Sequence, residues 1–173
     1  MKTLLLFLLN ATVAASLLAA PPNILYIMTD DHAAHAISAY GSKINQTPNL
    51  DRMAAGGAKL THFNCPMPFC APTRAALLTG RWPLRTGTHG VTHNKEAMRP
   101  EEVTLAEAFR GTGYRTACIG KWHNGEPFPY TPLGQGFDEF FGFRGGHWNN
   151  YFDPELMRGA KFEQAKGYIT DIL

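Results

Sequence analysis

The sequence predicts an α/β fold, a mainly parallel sheet flanked by helices, on three observations. Asn23–Thr29 and Tyr114–Ile119 are short runs, apolar almost without interruption, and they suit strands buried on both faces. Between them lie segments with helix start and stop signals, at Thr47–Ala55 and Thr104–Arg110. Polar clusters fall where strands end or a helix begins, which is where open α/β sheets carry their sites. The composition is that of a globular chain: 173 residues, 45% hydrophobic, 12% aromatic and 17% charged, too apolar for disorder. A formal charge of +2 with no basic block argues against a nucleic-acid partner, and three cysteines are too few for a disulfide framework.

Residues 1–20 read as a secretory signal peptide. Lys2 precedes the apolar run Leu4–Leu9, and small residues lead up to Pro21. The alternative is an uncleaved anchor, but a span needs about 20 apolar residues and Asn10, Thr12 and Ser16 interrupt this one. An exported protein, periplasmic or extracellular, with no stable membrane insertion is therefore expected.

Asn23–Thr29 is the first expected strand and ends abruptly at Asp30, Asp31 and His32. Thr47 is placed as an N-cap with Pro48 in the first helical position, and Gly56 and Gly57 stop that helix. Ala58–Phe63 fits a second strand. A proline-rich loop over 66–72 leads into a helix from Thr73 to Thr79, closed by Gly80. Thr104 and Glu107 have capping-box spacing. Tyr114–Ile119 is another strand, ending at Gly120 and Lys121, and the Gly-, Pro- and aromatic-rich stretch 126–150 reads mostly as loop. The chain ends at Gly167–Leu173 within an apolar-patterned segment, so a truncated reading frame is expected.

Three clusters carry chemistry. Asp30 and Asp31 are adjacent carboxylates, which repel unless a cation or water screens them; a hard divalent cation wants such oxygen ligands, and a solvated turn is the bland alternative. His32 reads as a turn residue or a neighbour of that site. Cys70 stands just before a helix start whose positive dipole end favours an anion and makes a thiol reactive, and Arg74 follows one turn later with a fork of donors suited to a tetrahedral oxyanion. Lys121 and His123 follow a buried strand, where alternation points both to one face; a solvated Lys and a capping His are the alternative. Cys118 reads as a small core residue. Cys65 has no zinc spacing, and nothing in the spacing supports a Cys65–Cys118 disulfide. His89, His93 and Asn94 read as surface loop or the mouth of a site, and His147–Asn150 as a packing loop or a sugar-stacking platform.

Taken together, these motifs resemble the formylglycine-dependent sulfatases of the alkaline-phosphatase superfamily. The resemblance rests on Cys70-Ala-Pro-Thr-Arg74 with its Leu-Leu-Thr-Gly80 tail, and on Gly113-Tyr-Arg-Thr-Ala-Cys-Ile-Gly-Lys-Trp-His123. The strand into Asp30-Asp31-His32, Thr47-Pro-Asn-Leu-Asp51 and Gly134–Gly142 add to it. Two mild departures are Thr73, where Ser or Ala is more usual, and Phe69 before the cysteine.

The resemblance implies an alkaline-phosphatase-like sheet, incomplete in this fragment, with residues 21–173 forming the N-terminal part of a sulfatase catalytic domain. It implies that a maturation enzyme converts Cys70 to formylglycine, whose hydrate attacks a sulfate ester. Asp30, Asp31 and the formylglycine from Cys70 would bind Ca²⁺, with Mg²⁺ as the alternative. Arg74 would anchor the hydrate, Lys121 would contact the sulfate, and His123 would be the base. The substrate would be a sulfated small molecule or carbohydrate. A phosphonate or phosphodiester hydrolase of the same superfamily and a non-catalytic binding module are the competing readings. Further metal and leaving-group residues are expected from later sequence, so the fragment alone is expected to be inactive.

Overall fold

A computed structural model describes residues 20–173. The expected signal peptide lies outside the described residues except for Ala20. The chain divides into two compact units, one ending at Gly57 and the other running from Ala58 to Leu173. Among the described residues, no helix is long and apolar enough to cross a membrane.

The first unit contains short 3-10 turns at Ala34–Ala36 and Ser38–Tyr40, followed by helix α1, Pro48–Gly56. Pro48 occupies the first turn as expected, and Gly57 follows the last helical residue. Thr47 takes the N-cap position, yet its side chain makes no cap bond to the helix. Its hydroxyl accepts from the Ser38 backbone N–H at 2.9 Å, and Ser38 Oγ donates to Asp51 Oδ2 at 2.6 Å. The turn before the helix is thus pinned to its first turn through Ser38. Residues 23–29, expected to form a buried strand, are irregular and largely exposed, with Leu25 at 85%. An apolar run supplies strand potential, but a ladder needs a neighbouring backbone, and no described strand pairs with this one.

The second unit holds a 4-stranded sheet in the order β1-β2-β3-β4: Ala117–Lys121, Glu139–Phe143, Glu155–Arg158 and Lys161–Gln164. β1 and β2 run parallel; β2–β3 and β3–β4 are antiparallel. The sheet is therefore mixed among the described residues. Helices α2 (Cys70–Thr79), α3 (Leu105–Gly111) and the short α4 (Ile169–Ile172) accompany it. α3 carries the expected capping box in full, with Thr104 accepting from Glu107 N and Glu107 accepting from Thr104 N. Ala58–Phe63, expected as a strand, is turn and irregular backbone. β2 lies instead in the stretch read as loop. Its start is fixed by Asp138, which accepts from Thr116 N at 2.8 Å and donates through its own N–H to Thr116 O at 3.0 Å. These exchanges set the β1–β2 register and hold the Asp138 carboxyl below its ordinary range, chiefly through the Thr116 backbone bond. The core packs Ala75 of α2 against Met98 and Trp122, with Leu78, Cys118 and Phe137 around them.

Candidate active site

The site is built where the start of α2 meets the end of β1. Cys70 is the first residue of α2, three positions earlier than the helix expected from Thr73. That places it in the turn whose backbone N–H groups have no intrahelical partner. The helix seats itself through buried Ala71, Pro72 and Ala75, and Gly80 closes it in a left-handed conformation at φ 65. Thr73 Oγ1 donates to Met67 O at 2.6 Å, fastening the preceding loop to the first turn.

Two hydrogen bonds join this turn to the strand end. Arg74 Nη1 donates to Lys121 O at 2.7 Å. Asn124 Nδ2 donates to Ala71 O, the residue after Cys70, at 2.9 Å. Asn124 is fully buried and so cannot trade that bond for water. Arg74, Lys121 and the turn that begins with Cys70 are thereby tied to one segment. Trp122 anchors that segment from below, only 2% exposed, with Nε1 donating to Tyr130 O at 2.8 Å.

His123 departs from strand alternation. Its φ is 61, in the left-handed region, while its N–H still bonds Arg144 O at 2.9 Å. The residue is 5% exposed, and Nε2 lies 3.0 Å from Val91 O. Burial pushes the His123 imidazole below its ordinary 6.5 and the Lys121 and Arg74 charges push the same way; the Val91 bond and Glu96 oppose them. Lys121, Arg74 and His123 therefore share one electrostatic neighbourhood, with the ring biased to its neutral form. Cys118 is packed against the core cluster, and burial raises its thiol to about 12, Arg74 opposing. It is an apolar filler, as its place in the strand predicts. All three cysteines are free.

Asp30 and Asp31 belong to the first unit. Both are exposed, and Asp31 has φ 50, so the backbone turns between the extended run and the 3-10 helices. Among the described residues, no group of three or more His, Cys, Asp or Glu side chains is arranged to hold a metal ion.

Away from the α2–β1 junction, His89 and Asn94 line an open groove of about 940 Å³ together with Glu96, Arg99, Glu126 and Tyr130. His93 is not among its lining residues. Trp148 stacks on Phe143 at 5.7 Å, so that part of the aromatic loop packs, while His147, Asn149 and Asn150 are exposed. Sequence reasoning missed Asn124, Glu96 and Gly146. Glu96 Oε2 is buried without a hydrogen-bond partner among the described residues, and Gly146 lies against the His123 ring. None of these has a local signature, since each acts through a partner distant in sequence.

Comparison with known proteins bears on this arrangement directly. The family model described as Sulfatase matches residues 22–172. Mouse steryl-sulfatase is 42% identical over 165 residues, covering 82% of this chain and 26% of its own length. Human arylsulfatase A is 42% identical over 145 residues, covering 81% of this chain and 29% of its own. A solved structure in complex with its substrate D-glucosamine-2-N,6-O-disulfate superposes with a TM-score of 0.75 at 37% identity, over 87% of this chain and 29% of the other. The chain thus spans between a quarter and a third of the length of these relatives, and the mixed sheet with its helices is a part of their alkaline-phosphatase-like α/β fold. The family match runs through the Cys70 helix, the Lys121–His123 strand end and nearly all of the described chain, and the chain belongs to the sulfatase family.

Proposed function

We propose that the protein is a sulfuric ester hydrolase whose nucleophile derives from Cys70. One observation carries the reading. The turn that opens with Cys70 is fastened to the Lys121–Asn124 segment by the Arg74–Lys121 and Asn124–Ala71 bonds, beside a neutral-biased His123. Family membership supports it, because relatives over this stretch are named sulfatases.

If a maturation enzyme with its oxidant converts Cys70 to formylglycine, the hydrated aldehyde would carry two hydroxyls: one would attack the sulfate sulfur and expel the alcohol, and loss of the proton from the other would re-form the aldehyde as the C–O bond to sulfate breaks. The chain's own residues prepare that position. The N–H groups of the first α2 turn and the Arg74 and Lys121 charges favour a tetrahedral anion. His123, biased toward its neutral form by burial, is the group proposed to take a proton there. Lys121 contacts the sulfate oxygens in this reading, and Arg74, already bonded to the Lys121 carbonyl, anchors the hydrate.

Asp30 and Asp31 fit a hard cation in kind, being carboxylates, but Ca²⁺ takes six to eight oxygen ligands and two residues supply only part of that shell. Asp30, Asp31 and residue 70 would hold Ca²⁺, or Mg²⁺, with other donors from elsewhere in the whole protein. The cation would supply Lewis-acid polarisation of a sulfate oxygen. A sulfated carbohydrate is the proposed substrate class, since relatives over the same region are named for amino-sugar sulfates. Export, to periplasm or exterior, is part of the same proposal, as is a maturation enzyme acting on the Cys70-to-Arg74 motif.

The test uses the full-length enzyme. Mass spectrometry of the Cys70 peptide is expected to find formylglycine, and Cys70→Ala is expected to abolish aryl-sulfate turnover. Full turnover in the alanine variant sinks the assignment. An aryl phosphodiester cleaved in preference to the sulfate would move the enzyme to the neighbouring hydrolase class.

A further inference from the structure

Two neighbours meet the Nε2 end of the His123 ring, and their chemistry bears on which nitrogen is free to accept a proton. Nε2 lies 3.0 Å from the carbonyl oxygen of Val91. A carbonyl only accepts, so in the neutral ring Nε2 carries the proton and Nδ1 carries the lone pair. Nδ1 is buried and has no hydrogen-bond partner among the described residues.

Against the same end of the ring stands Gly146. A Cβ built there would land on the imidazole, meeting Cε1 and Nε2 and coming within 2.7 Å of Cδ2. Gly146 is not among the glycines at positive φ, so its backbone suits any residue and the ring alone demands the missing side chain. The same loop is fixed to its surroundings: Arg144 O accepts from His123 N at 2.9 Å, and Arg144 Nη1 donates to Glu126 O at 2.6 Å. The backbone approaching the ring is therefore held in place.

We infer that Gly146 is a positioning residue which, with the Val91 carbonyl, clamps His123 as its Nε2–H tautomer and leaves Nδ1 as the proton-accepting nitrogen. The inference rests on the sulfatase reading for what Nδ1 does, but the clamp itself can be measured without turnover.

The experiment takes the full-length enzyme labelled with ¹⁵N-histidine, the His123 signals being identified by their loss in His123→Gln, which keeps an amide donor for Val91. At neutral pH the unmutated enzyme is expected to show a protonated Nε2 and an unprotonated Nδ1; a protonated Nδ1 overturns the clamp. Gly146→Ala is expected to lower kcat about 100-fold with KM for an aryl sulfate little changed, and to mix the tautomers. Wild-type kcat with an unmixed tautomer in that variant also overturns it. The tautomer is read on the unmutated chain, so the test stands even where Gly146→Ala fails to fold. An enzyme with Nε2–H but no aryl-sulfate turnover keeps the clamp and removes the catalytic reading; an active enzyme with Nδ1–H removes the clamp alone.

Discussion

At the scale of single residues, His123 and Cys118 show how position converts a common side chain into a specific one. Burial acts on both and disfavours the charged form of each. For Cys118 it raises the thiol to about 12, which keeps it protonated and inert. For His123 it lowers the imidazole below 6.5, and the cations at Lys121 and Arg74 lower it further. A depressed histidine binds its proton more readily in the unfolded chain. Stability from this group is therefore complete above the unfolded value of 6.5 and is lost as the pH falls from there through the lower folded value. The base form persists across the same interval. In the full-length enzyme the acid limb of kcat/KM is accordingly expected below pH 6.5, and a limb at or above 6.5 would show that an unshifted group controls the reaction. The proposed site residues Cys70, Arg74, Lys121 and His123 stand out in the sequence because they sit in two short motifs at element ends. Asn124 and Gly146 do not, since one is defined by a carbonyl fifty-three positions earlier and the other by a ring across the sheet end.

At the scale of elements, legibility follows the range of the interactions that make the element. α1 and α3 are written in local signals: Pro48 in the first turn of one, Thr104 and Glu107 in the capping box of the other. β2 is not, because Glu139–Phe143 becomes a strand by pairing with β1. The same logic, reversed, accounts for the apolar run 23–29, which has strand composition and no described partner. Two substitutions separate local from non-local support. Thr104→Ala removes the cap and a 2.7 Å bond from Thr104 Oγ1 to Gln135 O, and should cost about 1–2 kcal/mol. Gly142 pairs with Gly120 across β1 and β2, at φ 150, and a Cβ there would meet the Gly120 backbone. A backbone neighbour cannot swing aside as a side chain can. Gly142→Ala should therefore cost more than the cap, about 2–4 kcal/mol from strain and overpacking together. Chemical denaturation of the two variants tests the order, and a Gly142→Ala loss below that of Thr104→Ala would contradict the close β1–β2 approach.

At the scale of the whole molecule, the decisive quantity is the share of its relatives' length that this chain spans, 26% of the mouse steryl-sulfatase and 29% of the human arylsulfatase A. The Cys70 turn and the strand end that faces it fall within that share and already hold each other through Arg74 and Asn124. A cation site stands differently. Six to eight oxygens are needed for Ca²⁺, and among the described residues no group of three or more His, Cys, Asp or Glu side chains is arranged to hold a metal ion. A ligand that binds only the folded state stabilises it by RT ln(1 + [L]/Kd), so a partial shell that binds weakly gives almost no stabilisation. Calcium at about 1 mM, an order-of-magnitude choice well above tight-site affinities, should therefore leave the Tm of the 173-residue chain unchanged. The same addition should raise the Tm of a protein of the relatives' full length, and Asp30→Asn or Asp31→Asn should remove that rise. Thermal unfolding with calcium and with chelator makes the comparison. A clear calcium-dependent rise in the 173-residue chain would mean that donors already present within it complete a tight site around Asp30 and Asp31.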